Sequence, residues 1–191
     1  MAKKAMVLLA EGFEEIEAVT PIDYLRRAGV EVTVAAVGNE RAVKSSRGLT
    51  VLADTTVAEL SAMPGRWSPM AWDAVLLPGG MPGASNIAAS APCASLLKAC
   101  AASEKLVAAI CAAPAVVLGP LGILTGRRFT CFPGMEKEVS SGRWAEDRVV
   151  VDGNLITSRA AGTAGEWAHA VVAKLLGEEA ARKVAHAVLL K

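Results

Sequence analysis

Histidine is almost missing from this chain: there are two in 191 residues, His169 and His186, both far toward the C-terminus. Both fall inside helical patterns and read as packing or surface residues. Cysteine is sparse as well. The four, at positions 93, 100, 111 and 131, have neither paired metal-ligand spacing nor the density of a disulfide framework. These shortages argue against a zinc site and fit a reducing compartment, so a cytoplasmic location is expected and no metal is implied. An excess of charge is missing too. With 20 basic and 19 acidic residues the net charge is +1, which leaves no basic field for nucleic acid or an anionic membrane. Long apolar runs are absent: the first, residues 5–10, stops at Glu11 and has no signal-peptide cleavage pattern, so it reads as a strand and no membrane partner is expected. Without internal repeats or a second-domain linker, residues 1–191 are expected to form one domain. The expected partner is a small molecule.

What is present is apolar material. Hydrophobic residues make up 53% and charged residues 20%, the composition of an α/β domain with buried parallel strands. Residues 4–10, 30–37, 72–77, 106–110, 149–151 and 155–158 read as strands, 42–53 as a small hairpin turning at Gly48, and 128–131 as a further short strand. Helices are expected over 14–28, with Pro21 kinking or restarting the first, over 90–102, after Cys111, from 162 to 176, and from 178 to 189. Cys93 and Cys100, seven apart, share a helix face and read as packing residues. The breaker-rich stretch 63–70 reads as a loop.

One stretch stands out. Five apolar residues, 106–110, run into Cys111, and Ala112-Ala113-Pro114 follow with no room for a loop. This spells strand, cysteine, helix: a sharp turn that exposes a side chain at the carboxyl end of the sheet and lowers a thiol pKa at a helix start. A free cysteine is also among the residue types most often buried as inert packing. Two other features converge on that sheet edge. Glu17, the last of three glutamates opening the first helix, sits beside Ala18-Val19 and is expected to be partly buried. Gly79-Gly80 closes the strand 72–77, either as a plain turn or as a place where backbone N–H groups meet a developing oxyanion. Arg47, beside the hairpin turn, reads as a surface residue within reach of an anion.

Taken in order, residues 10–19 (AEGFEEIEAV), 25–29 (LRRAG), Ser46-Arg47, 76–80 (LLPGG), 108–114 (AAICAAP) and 155–158 (LITS) resemble the ThiJ/PfpI superfamily. Within it they resemble the clade of the Parkinson-disease-associated protein deglycase and its bacterial homologues. The resemblance implies a flavodoxin-like three-layer sandwich of the class I glutamine amidotransferase-like type, a homodimer, no cofactor, and Cys111 as nucleophile or redox-sensing thiol. It further implies a protonated Glu17 hydrogen-bonded to the sulfur, an oxyanion hole from the N–H groups of Gly80 and Ala112, and an anion or substrate rim of Gly79, Arg47, Arg27, Phe132 and Ser158, partly shared across the dimer. The implied activity is that of a cofactor-independent, glutathione-independent glyoxalase or deglycase acting on methylglyoxal, glyoxal or their adducts. The alternative is an oxidative-stress sensor or redox-regulated chaperone using the same cysteine. Two departures bear on the chemistry. Phe132 stands where members often have histidine, which removes the proton shuttle a protease would need. Ala160-Ala161 replaces a usual Gly-Pro at the pocket lip.

Overall fold

The protein is described here from a computed structural model covering residues 2–190. Its central strands contain almost no polar residue, because both sheet faces are covered and neither needs a water-facing alternate. In chain order the elements are β1 (Lys4–Leu9), α1 (Glu15–Arg27), β2 (Glu31–Ala36), β3 (Ala42–Lys44), β4 (Thr50–Leu52), β5 (Thr55–Thr56), α2 (Val57–Ala62), β6 (Ala74–Leu77), α3 (Gly83–Ala89), α4 (Ala91–Ala102) and β7 (Leu106–Ile110). After one π-helical turn, Pro114–Leu118, come β8 (Arg128–Phe129), β9 (Arg143–Trp144), β10 (Val149–Asp152), β11 (Leu155–Ser158), α5 (Ala164–Leu176) and α6 (Glu178–Ala187).

Seven strands form the main sheet in the order β10-β11-β7-β6-β1-β2-β5, parallel throughout except for the β10–β11 hairpin. Alternate residues divide between two cores. Met6, Leu8, Val75, Leu77, Val107 and Ala109 pack under α2, α3, α4 and the π turn. Val7, Leu9, Leu76, Ala108 and Ile110 pack under α1, α5 and α6, around the fully buried Trp167. This is the expected three-layer, mostly parallel α/β sandwich. Among the described residues no helix is long and apolar enough to cross a membrane.

Several local expectations are corrected. Of the two outcomes expected at Pro21, a restart is excluded: α1 runs as one helix from Glu15 to Arg27; the ring removes one intrahelical bond, but Pro21 is buried with Ala18, Ile22 and Leu25, and that packing holds the helix. The segment after Cys111 is a five-residue π turn rather than a longer helix, with Gly119 closing it. The strand expected over 128–131 stops at Phe129 and pairs with β9. Two short helices, α2 and α3, lie in stretches where no helix is expected above.

Because β1, β6, β7 and β11 are parallel and in close register, their carboxyl ends open on one edge of the sheet. The segments that follow them are 10–14, 78–80, Cys111 and 159–161. All the chemistry collects there, as ligands do in open α/β sheets.

Candidate active site

Cys111 directly follows β7 with φ 64°, in the left-handed region that a residue with a Cβ enters only at a cost of about 1–3 kcal/mol. Its neighbours hold it there. Its N–H donates to the Ser158 carbonyl at 3.0 Å, continuing the β7–β11 ladder, and its own carbonyl accepts the Phe132 N–H at 2.8 Å. The side chain is thereby turned out of the sheet into a cavity of about 580 Å³. Glu14, Glu17, Ser46 and Arg47 line this cavity, as do Gly80, Ala112, Met81, Phe132, Pro133, Met135, Ala160 and Ala161.

Glu17 is 1% exposed. It occupies the first turn of α1, where the Glu14 carboxylate caps the helix by accepting the Glu17 N–H at 2.8 Å. Its Oε2 accepts the Gly79 N–H at 2.9 Å, and its carboxyl shares a hydrogen bond with the Cys111 sulfur. Gly79 itself is buried behind the cavity rather than on its rim. A Cβ there would lie 2.7 Å from the Cys111 Cβ and 2.8 Å from Glu17 Oε2, so only glycine lets sulfur, carboxyl and backbone meet. Gly80 (φ +87°) turns its N–H toward the sulfur, as does Ala112. These are the two donors expected of an oxyanion hole, and in this arrangement they face the thiol.

Burial pushes the Glu17 carboxyl up to about 7; the hydrogen bond from Cys111 opposes this, the Glu14 charge adds to it, and the N–H groups of Gly79 and Ala161 oppose it. Burial, then the charge and hydrogen bond of Glu17, push the Cys111 thiol up to about 12, against the N–H groups of Ala112 and Gly80. This corrects the expectation of a thiol lowered by a helix start. The helical segment is one π turn, and desolvation beside a carboxylate outweighs it. The two groups share a proton: when Glu17 holds it, the charge that raises the thiol is gone and the carboxyl becomes a donor to sulfur. A thiolate beside a neutral acid and a thiol beside a carboxylate are therefore the two forms of one unit.

Other expected site residues are placed as follows. Arg47 and Phe132 line the cavity, Phe132 with 44% exposure. Ser158 does not: it is fully buried, its Oγ donates to the Arg148 carbonyl at 2.8 Å and meets Thr163 Oγ1 at 2.6 Å, and what it gives the site is its carbonyl beneath Cys111. Arg27 is ten residues beyond Glu17 on α1, about 15 Å along the axis. There it pairs with Asp23 at 2.6 Å and borders a separate groove with Leu176 and Lys183, so within one chain it is not at this site. His169 and His186 do not line the cavity either.

Glu15 has a role that no sequence pattern announced. It accepts from Ser45 Oγ at 2.5 Å, Arg47 N–H at 2.9 Å and Ser46 Oγ at 3.4 Å, fastening the 45–47 segment against α1. Against an opposing desolvation, these bonds hold its carboxyl below the ordinary value. Glu14, a lining carboxylate as well as the cap of α1, was likewise not singled out by its sequence position. Among the described residues, no group of three or more His, Cys, Asp or Glu side chains is arranged to hold a metal ion.

Residues 3–174 match the model of the DJ-1/PfpI family. The chain is 42% identical to Protein DJ-1 homolog B of Arabidopsis thaliana over 185 residues, covering 97% of this chain but 41% of that protein's length. It is 34% identical over 180 residues to a Caenorhabditis elegans protein named glutathione-independent glyoxalase DJR-1.2, covering 93% of this chain and 91% of the relative. The crystal structure of Drosophila melanogaster DJ-1beta superposes with a TM-score of 0.91 at 40% identity, covering 100% of both chains.

Proposed function

The chain belongs to the DJ-1/PfpI family, and from that premise we propose that it is a glutathione-independent glyoxalase, with deglycation of the corresponding adducts as an extension of the same chemistry. The observation that carries this reading is the Cys111–Glu17 pair set under the N–H groups of Gly80 and Ala112. The relative named as a glutathione-independent glyoxalase supports it.

The steps balance without any external redox partner. With the shared proton on Glu17, the Cys111 thiolate adds to the aldehyde carbon of a 2-oxoaldehyde; the S–C bond forms as the C=O π pair moves to oxygen. The two N–H groups stabilise that oxyanion until Glu17 protonates it. The Glu17 carboxylate then removes the C1 hydrogen as a proton, the electron pair passes into an enediol, and the proton returns to C2. C1 is oxidised to a thioester while C2 is reduced to a secondary alcohol. Water cleaves the thioester to a 2-hydroxy acid and the free thiol. Since Phe132 supplies no base, Glu17 serves each proton transfer, which disfavours peptide hydrolysis.

A sensor role is the second reading, because the same three donors suit a sulfinate formed as the thiolate consumes two peroxide molecules and releases two of water. Turnover separates the two. Methylglyoxal is incubated with the protein in the absence of glutathione, and lactate released per protein molecule is followed over time. The glyoxalase reading predicts many turnovers for the wild type, none for Cys111→Ser, and a loss of at least about 100-fold for Glu17→Gln, the lower range for removing a general acid–base. Lactate at background in the wild type overturns it and leaves the sensor reading ahead.

A further inference from the structure

The residues around Cys111 divide by chain segment into two kinds. The polar ones, Glu14, Glu17, Ser46 and Arg47, come from the start of α1 and the segment that Glu15 fastens to it. The apolar ones are Phe132, Pro133 and Met135, which follow the nucleophile in sequence, and Met81, from the segment after β6; together they form most of the remaining wall. Phe132 and Met81 keep 44% and 53% of their surface exposed, large for side chains of their type, and both border the cavity. The Phe132 N–H is bound to the Cys111 carbonyl at 2.8 Å, and Met81 Sδ accepts from Ser85 Oγ at 3.7 Å. A volume of about 580 Å³ is that of cavities enclosing ligands well beyond a three-carbon aldehyde, which would leave this apolar wall wet.

Resting on the glyoxalase reading for the reaction, we propose that the site prefers 2-oxo and 2-hydroxy acyl compounds whose substituent is apolar and aryl-sized, with Phe132, Met81 and Met135 as the residues that set the preference. An aryl group against this wall removes apolar surface of both partners from water. The phenylalanine ring and two polarizable thioethers are the contacts an aromatic ring favours. The acyl end then lies toward Cys111 and the donors. The carboxylate of the 2-hydroxy acid product finds Arg47, which has no ion pair among the described residues. Phenylglyoxal, giving mandelate, is the simplest member of the class; methylglyoxal, giving lactate, is the small comparison.

The test reads binding rather than turnover. Alkylation of Cys111 by iodoacetamide is followed by mass spectrometry with mandelate or lactate present, and the concentration giving half protection is compared. Protection by mandelate at a concentration at least tenfold lower than lactate is expected. In a Met81→Ser/Phe132→Ser variant the ratio should fall toward one; since both ligands are read on the same protein, a general loss of stability does not mimic that change. Equal protection by the two acids in the wild type, or an unchanged ratio in the variant, overturns the proposal. Failure of the glyoxalase reading has a different signature: no turnover of either oxoaldehyde with the mandelate preference intact, which supports the binding preference while removing the reaction.

Discussion

A cysteine in the left-handed region next to a glycine that cannot accept a methyl group is a costly arrangement, and it brings Sγ, the Glu17 carboxyl and two backbone donors together. The crowding is plain at Gly79. A Cβ there meets the Cys111 Cβ at 2.7 Å, Glu17 Oε2 at 2.8 Å and the Ala112 nitrogen at 3.0 Å, none of them a free side-chain end. Gly79→Ala should therefore lower stability by about 1–3 kcal/mol through overpacking, read as a shifted urea midpoint. Gly162→Ala, whose added Cβ meets nothing within 4 Å, should shift little; equal shifts for the two would contradict this account of the site. At this scale the sequence was informative where covalent neighbours decide the outcome. A cysteine at a strand end and a glutamate at the edge of an apolar helix face could be picked out because local pattern places them. The orientations of Ser158 and Glu15 could not, since each is set by partners on other elements: Arg148 and Thr163, on either side of β11, for one, and the distant 45–47 segment for the other.

Among the elements, α1 does two jobs. Its buried face, Ala18, Pro21, Ile22 and Leu25, packs on the sheet and its first turn delivers Glu17, while Ile16 and Val19 remain 53% and 44% exposed on the outer side. Leu49 and Leu52 of the neighbouring hairpin are 51% and 75% exposed. Scattered apolar residues need no explanation, but a row on one helix beside a hairpin suits a second copy of the chain. Arg27 lies eleven residues after Ile16, close to the same face, so the anion rim expected for it requires that second copy. The proposed homodimer is tested by sedimentation: the wild type should run as a dimer and Val19→Asp, a charge placed in the apolar face, as a monomer. A wild type that sediments as a monomer would contradict it. The elements missed in the sequence are instructive. Helix α2 carried a readable signal, the Thr56-x-x-Glu59 capping box seen with both reciprocal bonds. Helix α3 has no side-chain cap and begins at a glycine packed against Phe13, so tertiary contact rather than local pattern makes it.

For the molecule as a whole, the parallel sheet is what turns separate sequence motifs into a site. Apolar runs of the right length made the strands legible, and the order strand, helix, strand made parallel pairing the expected outcome. The cavity's division into polar and apolar segments was not legible, because it depends on which loops the topology brings beside one strand end. Nor was the coupling of the two central groups: the sequence suggested a thiol lowered by a helix start, whereas burial and Glu17 dominate. That coupling is the claim on which both functional readings depend. It is tested most directly by the rate of Cys111 alkylation by iodoacetamide between pH 5 and 11, in the wild type and in Glu17→Gln. Glu17 ionises at about 7, and its charge then opposes the thiolate. The wild-type rate should accordingly break near pH 7 and rise less steeply above it, whereas Glu17→Gln should give a single titration without that break. Superimposable profiles would contradict a shared proton and, with it, the chemistry assigned to the site.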